Sequence, residues 1–311
     1  MIFNQDKVFS PDEQIPDLSG KVVLVTGGNN GLGKETVTQL AKHTPARIYL
    51  GARNEEKAKA AIADIKKESP NANIIFLKID LASFSSIAKA VRVFLSENDR
   101  LDILVNNAGI FATPPGLTED GYEIQFGTNY MGPALLTKLL WPCLEKTAAA
   151  PGSDVHVVFV SSALHTVAPK EGLILSENKT TLERISTMAR YGQSKLAEMY
   201  FARSLAKLDP TITTIAVHPG VVRTGIMDGP MSNSIFRWLI RFVGHAASVD
   251  VPTGTLNQLW ACTVSRGTIT NGGMYYPVGK EFKGRRAASD EDMVEKLYLW
   301  TESQFREKGL L

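Results

Sequence analysis

The 311-residue sequence has little cysteine, almost no net charge and no long apolar run. Its two cysteines, Cys143 and Cys262, cannot supply a disulfide framework, so buried packing roles in a reducing, cytoplasmic setting are the expectation. Against 34 Lys and Arg stand 32 Asp and Glu, a formal charge of +2. That balance lacks the basic field that nucleic-acid binding requires, and no nucleic-acid partner is expected. No segment approaches the ~20 apolar residues of a membrane helix. Residues 1–14 are polar and broken by Pro11, unlike a secretory signal. The sequon Asn178-Lys179-Thr180 is therefore expected to go unused. His43, His156, His165, His218 and His245 are scattered, none at metal-ligand spacing, and no metal is expected.

What is present is an ordinary globular composition, 44% hydrophobic and 21% charged. Continuous apolar, β-branched runs lie at Val22–Val25, Ile48–Leu50, Ile74–Leu77, Ile103–Val105, Val155–Val160 and Ile212–Val217. Continuous rather than alternating runs are those of strands buried on both faces of a parallel sheet. Helical segments are expected between them near 31–43, 54–68, 83–97, 118–147 and 187–208. The rhythm predicts an α/β fold: a Rossmann-type doubly wound parallel sheet in a single domain spanning 1–311. Residues 1–20 read as an irregular N-terminal arm. Beyond His218 a helix is expected at 252–264, a short strand near Met274–Pro277 and a last helix at about 289–307.

Thr26-Gly27-Gly28-Asn29-Asn30-Gly31-Leu32-Gly33 follows the first strand and opens the first helix. Glycines there let backbone approach a pyrophosphate, and the helix N-terminus offers free N–H groups and a positive dipole end. The cofactor-binding candidates in this turn are Gly27, Asn29, Asn30, Gly31, Leu32 and Gly33. The second strand ends Gly51-Ala52-Arg53, with no carboxylate to take a ribose 2′-hydroxyl. Arg53 suits a 2′-phosphate, so NADP(H) is favoured over NAD(H). Asp80 either contacts adenine or caps the helix starting near Ser83. Asn106 and Asn107 end the fourth strand, where they either tie strand ends together or touch the cofactor ribose.

Tyr191-Gly192-Gln193-Ser194-Lys195 sets a phenol and an ammonium one helical turn apart on one face. The lysine cation is expected to lower the tyrosine pKa from about 10 and fit it for proton exchange. The same spacing recurs at Tyr276 and Lys280, but Pro277 and Gly279 exclude a helix there. Ser161 and Ser162 end the fifth strand, at the sheet edge where α/β proteins bind ligands. One hydroxyl can address a substrate oxygen while the other caps the strand.

These motifs resemble the short-chain dehydrogenase/reductase family, in family order over roughly residues 18–225. The matching features are Thr26–Gly33, Asp80, Asn106–Gly109, Asn129, Ser162, Tyr191, Lys195 and His218-Pro219-Gly220. Asp80-Leu81-Ala82-Ser83, Thr128-Asn129-Tyr130-Met131-Gly132 and Pro219-Gly220 with Thr224 resemble the retinol-dehydrogenase-like branch. Tyr275–Lys280 is similar to fungal members of it. The resemblance implies that Tyr191 exchanges the proton and that Lys195 lowers its pKa and binds the nicotinamide ribose. It implies that Ser162 orients the carbonyl, Asn129 holds a relay water, and Val222 and Thr224 bind the nicotinamide side. It further implies an NADP(H)-dependent enzyme interconverting a carbonyl and an alcohol on a hydrophobic small molecule, within secondary metabolism.

Two features depart from the pattern: Asn30 stands where some NADP-preferring relatives carry a basic residue, and an insert around Ala168–Thr187 is expected to form a loop at the site rim. Residues 225–250 correspond to the family's substrate lid. Their apolar stretch Ser234–Val243 also admits an ordinary packed helix or, less favoured, a helix lying on a membrane surface. The family forms dimers or tetramers, while this branch includes apparent monomers, so a homodimer stays open. Two rival readings remain: a nucleotide-sensing protein without catalysis on the same fold, and a membrane-surface lipid-alcohol dehydrogenase.

Overall fold

The computed structural model describes residues 9–222, 248–282 and 290–311. Six strands fall where the apolar runs predict them: β1 (Val22–Thr26), β2 (Arg47–Ala52), β3 (Ile74–Lys78), β4 (Ile103–Asn106), β5 (Val155–Val160) and β6 (Ile212–Val217). Two more complete the sheet, β7 (Met274–Tyr276) and β8 (Lys280–Glu281). The order is β3-β2-β1-β4-β5-β6-β7-β8, parallel up to β7, with β8 antiparallel at the edge. This is a single-domain α/β architecture with a doubly wound, mostly parallel sheet.

Helices cover both faces, which is why the strand sequences are apolar throughout. Along β1, Val22 and Leu24 enter one core while Val23 and Val25 enter the other. The two cores follow from the two-residue period of a strand. Helices α2 (Gly31–Ala41), α3 (Glu55–Glu68) and α8 (Val251–Thr263) cover the Val23 face. Helices α4 (Phe84–Glu97), α6 (Gly132–Ala148), α7 (Thr187–Leu208) and α9 (Glu291–Glu307) cover the Val22 face. Side-chain caps start several of them: Asn54 accepts from Lys57 N–H, Ser83 from Ser86 and Ser186 from Ala189.

The structure revises several expectations. The arm contains one helical turn, α1 (Pro11–Gln14), with Phe9, Ile15 and Leu18 buried on the sheet. The helix expected from 118 begins instead with the short α5 (Ile124–Phe126), because an antiparallel bridge between Leu117 and Glu123 closes a turn before it. A π-helical turn, Gly127–Met131, then leads into α6. The insert is more than a rim loop: Leu173 and Leu175 join the main core and Leu182 is buried. Asn178 of the sequon is also fully buried. Tyr276 and Lys280 face each other across the β7–β8 hairpin, not along a helix. Residues 225–247 of the expected lid, with Ser234–Val243, lie outside the described residues, as does Thr224.

Candidate active site

The sheet order reverses between β1 and β4, and the crevice beyond their carboxyl ends is the expected ligand position of such a sheet. A cavity of about 320 Å³ lies there. Its lining includes Gly27, Asn29, Asn30, Gly31, Leu32, Gly33, Arg53, Asp80 and Asn107, all singled out from the sequence. Gly27 has φ +67, a left-handed conformation that favours glycine. A β-carbon on Gly33 would lie 2.3 Å from the Gly27 carbonyl oxygen and 2.5 Å from Asn107 Nδ2. The turn can therefore press backbone against a ligand only because side chains are missing. Asn30 caps α2 by accepting from Gly31 N–H at 2.8 Å.

The asparagines serve structure. Asn107 donates from Nδ2 to the Thr26 carbonyl at 2.8 Å, and the Thr26 hydroxyl accepts from the Asn107 and Ala108 N–H groups. Asn107 thus locks the ends of β1 and β4 together while still facing the cavity. Asn106 donates to Thr137 at 3.0 Å, tying β4 to α6. Asp80 does not cap α4, since Ser83 does; its carboxylate accepts from Ala82 N–H at 2.9 Å. Its other oxygen faces the Arg53 guanidinium at 3.9 Å across the cavity mouth. Arg53 is two-thirds exposed there, and Asp80 holds it only at long ion-pair distance.

Glycine at position 33 makes a direct prediction. Gly33→Ala drives a β-carbon into the Gly27 carbonyl and the Asn107 amide, so overpacking of about 1–3 kcal/mol is expected. Calorimetry should show a lowered Tm together with weakened dinucleotide binding. A variant with wild-type values for both would contradict the tight approach.

The second group of residues gathers at the ends of β5 and along α7. Ser161 and Ser162 divide their tasks. Ser161 donates to the Lys195 carbonyl at 2.7 Å and anchors α7 on β5. Ser162 accepts from Leu164 N–H at 3.1 Å, and its hydroxyl stands beside the Tyr191 phenol, where it favours the ionised form. Lys195 donates to the Val160 carbonyl and to Glu198, each at 2.8 Å. Its ammonium lies 5.7 Å from the centre of the Tyr191 ring. Asn129 sits in the π-helical turn, where it accepts from Ile110 N–H and donates to the Ile110 carbonyl and the Ser194 hydroxyl. A β-carbon on Gly109 would lie 3.2 Å from Asn129 Oδ1 and 3.6 Å from Lys195 Nζ. Gly109 also lines the cavity, so the two groups of residues adjoin. Val222 is set apart from the lining: it bridges Val249 and packs against Gly254.

The electrostatics differ from the expectation. Burial pushes the Tyr191 phenol above its ordinary pKa, and Lys195 only partly opposes that shift. Glu198, whose carboxylate pairs with the lysine, adds to the rise by disfavouring a nearby phenolate. Burial raises Glu198 itself to about 7. Burial also works against the Lys195 ammonium, but Glu198 and Tyr191 outweigh it and hold the lysine above its usual value. His218 is pushed down to about 4 by burial and by His165. It is thus neutral near pH 7 and free to accept from Ala163 N–H at 3.3 Å.

Sequence reasoning did not find Glu198 or the ion pair of Arg190 and Glu123. The i, i+3 spacing of Lys195 and Glu198 on a helix was a readable signal. Apolar groups also surround the phenol: Phe111 meets Tyr191 edge to face at 4.8 Å, and Leu164 and Met188 pack beside them.

A glycine-cradled cleft thus lies at the switch point of the sheet, beside a group of Ser, Tyr and Lys side chains. The comparisons place the chain in a family. Residues 21–174 match the short chain dehydrogenase family model. A short-chain dehydrogenase/reductase, drtF of Aspergillus calidoustus, is 39% identical over 96% of this chain and 97% of its own. Mouse retinol dehydrogenase 13 is 34% identical over 92% of this chain and 83% of its own. A crystal structure of an uncharacterized protein from Mycobacterium paratuberculosis superposes with a TM-score of 0.73 at 26% identity, covering 96% of this chain and 98% of that one. The chain belongs to the short-chain dehydrogenase/reductase family, as a fungal-type member of the retinol-dehydrogenase-like branch. It is accordingly an oxidoreductase of CH–OH donors from a family that uses nicotinamide cofactors and small-molecule substrates. No helix among the described residues is long and apolar enough to cross a membrane.

Proposed function

We propose that the chain is an NADP(H)-dependent reductase or dehydrogenase interconverting a carbonyl and an alcohol on a hydrophobic small molecule. The observation that carries this reading is the convergence of Ser162, Tyr191 and Lys195 beside the glycine-lined cleft. The apolar groups around the phenol, Phe111, Leu164 and Met188, favour a hydrophobic substrate.

The cleft fits a dinucleotide. The N-terminal turn of α2 presents backbone N–H groups, and Gly27 and Gly33 leave the approach open. Arg53 at the rim, with no carboxylate ending β2, suits a 2′-phosphate. Asp80 beside it suits the adenine edge. The cofactor, when bound, supplies or accepts the hydride at its nicotinamide. The chain's own residues handle the proton. Ser162 orients the substrate oxygen by a hydrogen bond, Tyr191 donates its phenolic proton to that oxygen as it gains charge, and Lys195 stabilises the phenolate left behind. Asn129 holds Ile110 and Ser194 in place next to Lys195.

The test is NADPH consumption against a panel of aldehydes and ketones, from small to polycyclic, with NADH in parallel. Turnover with NADPH on apolar carbonyls supports the reading. Tight NADPH binding without turnover on any carbonyl would favour a nucleotide sensor instead. Arg53→Ala tests the cofactor assignment separately. Losing a charge-assisted contact of about 1.5–3 kcal/mol should weaken NADPH binding roughly ten- to a hundredfold and leave NADH unchanged. Equal losses for both cofactors, measured by calorimetry, would refute the 2′-phosphate role.

A further inference from the structure

Glu198 has no part in the reaction as described, yet it is among the least exposed charged groups of the chain, at 1%. It follows Lys195 by three residues on α7, and its Oε1 accepts from the lysine ammonium at 2.8 Å. Its other oxygen, Oε2, receives no hydrogen bond. Ser161 is the adjacent hydroxyl, but its proton is given to the Lys195 carbonyl at 2.7 Å. A buried carboxylate satisfied on one side only is costly, and its counter-charge is the one cation the proposed chemistry needs. The lysine has three N–H bonds. Glu198 takes one and the Val160 carbonyl takes a second. The third is left for the cleft, where Gly109 lies close enough that a β-carbon on it would be 3.6 Å from Nζ.

We propose that Glu198 is a positioning residue for Lys195: its carboxylate keeps the buried ammonium charged and aims its remaining N–H bond at the cofactor cleft. Burial alone would favour a neutral amine, because a lone buried cation forfeits its hydration. Glu198 reverses that preference and fixes two N–H directions at once.

Other charged groups packed against α7 are already engaged. Glu123 before α5 pairs with Arg190 at 2.8 Å, and Glu291 of α9 pairs with Arg203 and Lys207. His165, in the 3₁₀ turn Ala163–Val167 that packs on α7, is hydrogen-bonded to the Ser162 carbonyl at 2.7 Å. His218, at the end of β6, bonds to Ala163 N–H. Asn129, in the π-helical turn, and Ser161, at the end of β5, carry no charge. Lys195 and Tyr191 are thus the titratable groups that Glu198 influences directly.

The inference rests on the proposed role of Tyr191 and Lys195, and its test separates the two. Glu198→Gln keeps the shape and removes the charge. Two consequences run in the same direction. The lysine loses the partner that holds its proton, and the phenol loses a carboxylate that disfavours its ionisation. The alkaline limb of kcat/KM for carbonyl reduction should therefore move down by about one pH unit or more. The pH at which NADPH affinity falls off, read from the fluorescence of the bound cofactor, should move down by a similar amount. A profile and an affinity curve that superpose on the wild type would overturn the proposal. Turnover surviving in Tyr191→Phe would instead overturn the underlying mechanism. Should Glu198→Gln not fold, Glu198→Asn takes its place. Failure of both to fold would mark the pair as purely structural and also overturn the proposal.

Discussion

Replacing Tyr191 with Phe is expected to lower turnover about a thousandfold while leaving cofactor affinity near the wild-type value. Among the described residues, the phenol is the acidic group that stands beside the Ser162 hydroxyl with the ammonium of Lys195 nearby. A positioned general acid commonly contributes about 10²–10⁴ in rate, and removing only its hydroxyl forfeits that contribution. The ring itself stays. Its edge-to-face contact with Phe111 at 4.8 Å needs no oxygen, so the site should keep its shape. Stopped-flow turnover with NADPH and a reactive aldehyde, beside a binding titration, measures both quantities. Wild-type-like turnover would remove Tyr191 from the chemistry. Loss of binding together with turnover would indicate a packing role.

The largest stability effect is expected from Glu123→Ala. Glu123 and Arg190 form an ion pair at 2.8 Å with side chains 0% and 2% exposed. The pair is a clamp. Arg190 also donates to the Thr113 carbonyl, Glu123 accepts from Phe126 N–H, and the Glu123 N–H donates to the Asn178 carbonyl. It therefore joins the segment carrying Phe111, the insert at 168–187 and the first turns of α7 directly ahead of Tyr191. Removing the carboxylate leaves the guanidinium buried with no counter-charge, a loss of about 3–5 kcal/mol. For a domain of this size that corresponds to a fall in Tm on the order of 10 °C. Replacing both partners by apolar residues of similar volume should recover most of the loss, because no charge is then stranded. Thermal melting of the single and double variants decides it. A single variant within a degree of the wild type would show that solvent reaches the guanidinium.

Much of this architecture can be read along the chain. A strand buried on both faces must be apolar at every position, so Val22–Val25 and Val155–Val160 announce themselves without knowledge of their neighbours. The glycine turn is legible because Gly27 needs a left-handed backbone and Gly33 has no room for a side chain. The Tyr191 and Lys195 pair is legible because helical spacing alone puts them on one face. The start of α5 at Ile124 was not legible, since helix-forming residues upstream yield to a bridge between Leu117 and Glu123. Nor was β8, a two-residue edge strand whose exposed Lys280 and Glu281 carry no apolar signature.

Sequence alone determined the parallel sheet, the glycine cradle at its switch point and the helical register of the phenol and the ammonium, because each leaves its residue pattern within a short run of chain. Tertiary structure decided how those groups behave. Ser161 and Ser162 are neighbours of one type, but only the approach of α7 to β5 separates the anchor from the hydroxyl that meets Tyr191. The acidity of that phenol likewise depends on long-range packing. Burial raises it more than Lys195 lowers it, and Glu198 takes part of the lysine's charge. Desolvation is a property of everything packed around a group, so no spacing along the chain reveals it.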